Sequence, residues 1–494
     1  MMKPLFAALF LATCAAAQAA DAIPDRPEKL KFPVLQYEPP RAADYRVALK
    51  SGPVAYVVPD RELPLVNLVI YVRTGQYNEP AGKEGLAALT GALLARGGTQ
   101  SKSAEVLEER LAFLAAGLNA GIGDTQGTVS LNLLSKDLDE GLATLREVLT
   151  APRLQEDKLT LFKQQTLQSL KQRNDDSAAI EQRERRFLAY GEKFWSNRHP
   201  TQASVESITR ADIEAFHRRW FHPGNFIVAA SGDFDRAALV AKLEKLFTDW
   251  PIQGGEAARP VPGDKQFAAP GIYFVEKDVN QGRVSLLLPG IRRDDPDYYA
   301  VEVMNDILGG GGFTSRIMNR VRSDEGLAYS AGTGFPGGVY YPLSFVAAFQ
   351  SKSATVAYAT SLVVDEMKKI AAAPVTAEEM ETAKKSFIET FPGSFATKGQ
   401  VAGALAQEEF TGRHATDPAY FKNYRAKVAA VTAADVQRVA KRFLTPEKAV
   451  ILIVGQKGEI LKGHPNHPVK LESLAPRVVE VPLRDPLTMK PQPR

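Results

Sequence analysis

Two stretches of the chain alternate apolar and polar residues. Val66, Leu68, Ile70 and Val72 alternate with less uniformly apolar neighbours, and Val129, Leu131 and Leu133 alternate with Thr128, Ser130 and Asn132. A period of two places each set on one face of a β-strand. Val54-Ala55-Tyr56-Val57-Val58 is a continuous apolar run and reads as a third strand. Between these the spacing turns helical, over 84–96 and over 103–116, where Leu107, Leu111 and Leu114 share one face. Ser135 is placed to cap a further helix whose Leu138, Leu142 and Leu145 point inward. The pattern predicts an α+β fold in which helices pack on one side of a largely antiparallel sheet.

The same pattern returns downstream. Thr209-Arg210-Ala211-Asp212-Ile213 corresponds to Thr432-Ala433-Ala434-Asp435-Val436, and at the same offset of 223 Arg219, Pro223 and Gly232 fall on Arg442, Pro446 and Gly455. Both copies read as a Thr-capped helix, a proline turn, an apolar strand (226–231 and 449–454) and a glycine. Ungapped agreement of this kind predicts an internal duplication with a period far too long for a solenoid. Two homologous domains follow, 45–250 and 271–460, joined by a Pro- and Gly-rich linker over 251–270. Residues 20–44, with Pro24, Pro27, Pro33, Pro39 and Pro40, read as an extended N-terminal arm. Residues 461–494 hold seven prolines and read as an extended tail, free or laid against a partner surface.

Composition narrows the function. With 494 residues, 45% hydrophobic and 24% charged, the chain is ordinarily globular and long enough for more than one core. A formal charge of +4 is too small for a protein built to coat nucleic acid. Residues 1–19 have the layout of a secretory signal: Lys3, an apolar run from Leu5 to Ala12, and Ala17-Gln18-Ala19 at the cleavage position. Export to the periplasm is expected, with lipid anchoring at Cys14 as the weaker alternative. No later stretch approaches the ~18 uninterrupted apolar residues of a membrane span. Cys14 is the single cysteine, so the exported chain is expected to have no disulfide, thiolate nucleophile or cysteine metal site.

Histidine is as scarce as the chemistry it serves. The six are His199, His217, His222, His414, His464 and His467. Glu214 and His217 lie three apart and read as a helix-surface pair, and His464-Pro465-Asn466-His467 as a solvated loop.

Residues 82–99, GKEGLAALTGALLARGGT, follow Pro64-Leu65-Val66, Arg73-Thr74-Gly75 and Glu79-Pro80-Ala81-Gly82. This region resembles the signature of the pitrilysin/insulinase family of zinc peptidases, the inverzincins, in which the helix carries H-x-x-E-H. Laid onto this chain, the two histidines fall on Ala88 and Ala92 and the glutamate on Gly91. The family's third ligand falls near Gln168. Residues i and i+4 share a helix face, so two histidines there grip one zinc ion, and the carboxylate takes a proton from the metal-bound water. Methyl groups and a hydrogen atom do neither. The resemblance therefore implies that this chain binds no metal and does not hydrolyse peptides alone. Ala88, Gly91 and Ala92 are expected to form a closely packed helix face.

Residues 305–330, NDILGGGGFTSRIMNRVRSDEGLAYS, resemble the same family's C-terminal glycine loop, Ser-Arg helix and Gly-Leu-Ala-Tyr strand. There an arginine and a tyrosine seven residues apart complete the active site; here they match Arg322 and Tyr329, with Gly326 as the turn between helix and strand. Both can donate hydrogen bonds to a peptide carbonyl that becomes an oxyanion. From spacing alone, Arg322 could instead pair with Asp324 or Glu325 while Tyr329 fills a sheet face. Gly309, Gly310, Gly311 and Gly312 lack the G-K-[ST] ending of a phosphate loop and suit a tight connection between helices, past which a substrate backbone could run. The resemblance covers about 45–460. It implies half of a peptidase clamshell, acting as the non-zinc subunit of a heteromeric peptidase whose zinc-bearing paralogue holds the metal. The alternative is a catalytically inactive homodimeric scaffold or peptide-binding protein.

Overall fold

The computed structural model describes residues 25–26, 29–30, 36–250, 259–260, 263, 265–475 and 477–492. The expected secretory signal and most of the expected linker lie outside them. Two six-stranded sheets organise the chain. The first contains β1 (Arg46–Ala48), β2 (Val54–Pro59), β3 (Leu65–Val72), β4 (Gly117–Ile122), β5 (Gly127–Leu134) and β6 (Phe226–Gly232), in the order β1-β2-β6-β3-β5-β4. The second contains β7 (Gly271–Glu276), β8 (Gln281–Leu288), β9 (Ala328–Gly334), β10 (Phe345–Lys352), β11 (Val450–Gly455) and β12 (Val478–Glu480), in the order β12-β7-β11-β8-β10-β9. Five of the six strands match position by position, as a duplicated unit requires, the outermost β1 and β12 being the exception, and all but the β2–β6, β7–β11 and β7–β12 pairs are antiparallel.

Local chemistry explains the elements. Thr209 and Thr432 each cap their helix (Arg210–Trp220 and Ala433–Phe443) in a reciprocal capping box with Asp212 and Asp435. The alternation in β3 buries Val66, Leu68, Ile70 and Val72 and leaves Asn67 exposed. Ser135 differs from expectation. It lies in a short 3-10 turn ahead of the helix Leu138–Thr150 and donates its hydroxyl to Asp233 instead of capping.

The repeats are interlocked. Each sheet carries its own helices on one face, and the other face receives a helix from the opposite repeat. Helix Ser177–Tyr190 lies on β8 and β11, with Ile180 in one core with Val275, Leu287 and Val454. Helix Lys398–Phe410 lies on β2 and β6, where Glu409 accepts from Arg46 and from the Tyr56 hydroxyl. Every residue of the central strands β6 and β11 is therefore buried, which is why they read as unbroken apolar runs.

The proline-rich tail does not run free. It supplies β12, parallel to β7, in the place that β1 takes in the first sheet. It continues onto the first repeat, where Asn174 donates to the Arg484 carbonyl, Arg173 to the Pro486 carbonyl, and the Gln202 N–H to the Leu487 carbonyl. Its proline content suited an extended path, and bonds to its backbone carbonyls fix that path to the chain's own surface.

Candidate functional site

Helix Leu86–Arg96 begins at Gly85, whose φ of 104° is left-handed. The buried Glu79 carboxylate accepts from the N–H groups of Gly85 (3.1 Å) and Ala87 (2.8 Å), satisfying two donors of the first turn. Burial pushes the Glu79 carboxyl up to about 7, against the pull of those two donors. A carboxyl raised above its unfolded value contributes stability that is complete below the unfolded pKa of 4.5 and is lost as pH rises through about 7. Denaturant titrations of the wild type should therefore lose about 3 kcal/mol between those limits relative to Glu79→Gln, which lacks the titration. Parallel pH profiles for the two proteins would count against this.

The same helix carries the positions that answer to a zinc motif. Gly91 is buried so tightly on β4 that an added Cβ would stand 2.9 Å from the Gly121 Cα. Ala88 is exposed and Ala92 half-buried, so the expected packed face is confined to Gly91. The other two lack close packing because the i, i+4 row turns away from the sheet. Gln168 is exposed on helix Glu156–Lys171. None of these four side chains fits a zinc ion, and no group of three or more His, Cys, Asp or Glu is placed to hold a metal among the described residues. The contact at Gly91 also blocks reversion. Gly91→Glu should cost about 1–3 kcal/mol of stability by overpacking, whereas Ala88→His should stay within about 0.5 kcal/mol. A thermal melt of each variant checks both.

The second region is built differently. The glycine run starts inside one π-helical turn, Asp306–Gly310, and a second, Asn319–Asp324, follows it; this backbone form recurs at functional sites. The second turn ends at Gly326, φ 62°, where N–H bonds from Gly326 to Arg322 and from Leu327 to Val321 close the helix and start β9. This places Arg322 beside Tyr329, its guanidinium carbon 4.7 Å from the Tyr329 ring centroid. It also lies 4.6 Å from the Phe313 centroid. Tyr329 is 85% exposed and Phe313 64%. The nearby acids are taken by another cation: Arg320 reaches Glu325 at 2.9 Å and Asp324 at 3.8 Å. Arg322 makes no ion pair among the described residues, so the pairing weighed from spacing is not formed. Stacking uses the faces of the guanidinium and phenol and leaves their N–H and O–H edges available. Phe313 was not anticipated, because nothing in its sequence spacing marks it as a neighbour of Arg322.

The glycines have a structural cause. A Cβ on Gly309 would stand 2.7 Å from the Thr333 backbone nitrogen, one on Gly310 2.5 Å from the Asn305 side chain, and one on Gly311 2.8 Å from the Asp306 carbonyl. The first π-turn thus packs closely against β9. Gly312, with φ 61° and nothing within 4 Å of its would-be Cβ, is the open member of the run.

The histidines take other places. His217 is buried with its Nε2 3.0 Å from the Leu149 carbonyl, while Glu214 accepts from Arg210, so the expected surface pair is absent. The helix face there points His217 into the core. His467 stacks on Tyr358 at 4.0 Å between centroids, so the 464–467 turn is held on the surface rather than loose.

Residues 57–193 match the family model described as insulinase (peptidase family M16), and residues 207–387 match the peptidase M16 inactive domain. The chain belongs to the M16 family. An uncharacterized zinc protease of Mycobacterium bovis is 27% identical over 348 residues, 68% of this chain and 73% of that protein. A non-peptidase homolog, YmxG of Helicobacter pylori, is 26% identical over 344 residues, 67% and 76% of the two chains. The crystal structure of a peptidase M16 inactive domain from Pseudomonas fluorescens superposes with a TM-score of 0.73 at 25% identity, covering 83% of this chain and 97% of that one. The two sheets and their helices are the M16 two-domain clamshell fold. M16 relatives thus include proteins named as proteases and as a non-peptidase homolog. Among the described residues no helix is long and apolar enough to cross a membrane.

Proposed function

We propose that this chain is the non-zinc subunit of a periplasmic, heteromeric M16 metallopeptidase. It binds peptides and presents Arg322 and Tyr329 to the site of a zinc-bearing M16 paralogue. The observation that carries this is the exposed Arg322–Tyr329 stack, which leaves two donor edges facing outward without a carboxylate partner. A guanidinium and a phenol fixed side by side suit a carbonyl oxygen that gains negative charge. The partner supplies the metal and the general base; this chain supplies the two donors, and Gly312 offers a backbone that peptide can approach. The expected secretory signal and the absence of cysteine from 20–494 agree with export.

A second reading, a homodimeric scaffold without catalysis, draws on the likeness to a non-peptidase homolog. One experiment separates the two. The chain is purified with and without a zinc-bearing M16 paralogue and assayed on a quenched peptide. Cleavage that needs both chains supports the subunit role. Equal cleavage by the paralogue alone removes it, and a stable homodimer that retains peptide uncut supports the scaffold.

A further inference from the structure

Beside Tyr329 the second sheet holds a groove of about 600 Å3. Its floor follows from strand register. β8 and β10 pair antiparallel with Gln281 opposite Lys352, Arg283 opposite Gln350 and Ser285 opposite Ala348. Alternation puts these six side chains on one face, all but the buried Ser285 lining the groove, and β9 carries Tyr329 at the near rim. Glu181, from the exchanged helix Ser177–Tyr190, stands at the far end.

The charges in the groove do not balance. The Glu181 carboxylate is already engaged, accepting from the Ser285 hydroxyl and pairing with Arg185 at 3.4 Å. Arg283 gives its Nε to the Ser177 hydroxyl at 3.0 Å, and Lys352 is exposed. Neither Arg283 nor Lys352 makes an ion pair among the described residues. Two cations thus share one groove wall with small and neutral residues and without a carboxylate of their own.

We propose that this groove selects peptides by an acidic side chain, whose carboxylate sits between Arg283 and Lys352. The proposal rests on the peptide-binding reading above and adds its substrate class. It also gives a position. β9 and β8 are separated by β10, so Arg283 stands two strand spacings, roughly 10 Å, from β9. An extended peptide advances about 3.3 Å per residue, so the acidic residue lies about three residues from the carbonyl held at Arg322 and Tyr329.

The test uses the full chain without partner and fluorescence anisotropy with labelled decapeptides that carry a single Glu, Gln or Lys at successive positions. The Glu peptide is expected to bind roughly fivefold tighter than its Gln counterpart at one favoured position, and the Lys peptide more weakly than either. Added salt should erase the difference. Lys352→Gln, at an exposed position, should remove part of the preference, and Arg283→Gln combined with it should remove the rest. Equal binding of Glu and Gln peptides at every position, or a preference that survives both substitutions, overturns charge selection while leaving peptide binding in place. Failure of every peptide to bind overturns the peptide-binding role and the selection with it.

Discussion

In a complex with a zinc-bearing M16 paralogue, Arg322→Ala is expected to lower turnover about 10²–10³-fold with association unchanged. The size follows from what the side chain does. Arg322 is partly exposed, makes no ion pair among the described residues, and lies over the Phe313 and Tyr329 rings at 4.6 and 4.7 Å. Its removal therefore leaves no buried group uncompensated and subtracts little from stability, while a donor to the developing oxyanion is lost. Tyr329→Phe sharpens the test. It keeps the ring and the stack, removes only the hydroxyl, and should give a loss of the same order. The double variant should fall short of the product of the two losses, because both donors serve one oxygen. Turnover on a quenched peptide, set beside complex formation by size-exclusion chromatography, reads both quantities. Unchanged turnover in both single variants would remove the pair from the site.

How much of this was legible before the fold depends on where each signal resides. Strands and caps are local. The alternation at 66–72 and the Thr-x-x-Asp boxes at 209 and 432 appear in the structure as read, because burial of one strand face and capping of one helix turn are settled within a few residues. The duplication was legible for the same reason twice over. The exchange of helices 177–190 and 398–410 was not. An amphipathic helix shows which of its faces is apolar but not which sheet receives it, and only the complete set of contacts assigns Ile180 to the second sheet. The glycine run was legible only in part. Its spacing suited a tight connection, and three of its members do meet close approach, but the residues they approach, Thr333, Asn305 and Asp306, are ones that sequence spacing does not bring together. The Arg322–Tyr329 pair was matched by resemblance. What could not be read was the third ring, Phe313, or the diversion of Asp324 and Glu325 to Arg320.

The tail gives the largest expected effect on stability. Arg484 is buried and its guanidinium lies 3.9 Å from the Phe187 ring centroid. It donates to Glu184 at 3.1 Å and also bonds Glu192, so one residue of the tail neutralises carboxylates on and beside the exchanged helix. Glu184 is fully enclosed, with Arg183 at 3.0 Å as its remaining cation. Arg484→Ala removes one of those two cations and opens the packing on Phe187, which should cost about 3 kcal/mol. Arg484→Met with Glu184→Leu, which replaces the buried ions with apolar groups, should recover much of that loss. Truncation after residue 477 should cost more than either, since it also strips β12 from the edge of β7 and frees the bonds to Asn174, Arg173 and Gln202. Urea midpoints rank the three proteins directly. A truncated chain as stable as the full one would show that the two interlocked repeats hold each other without the tail, and that its docking follows from the fold instead of supporting it.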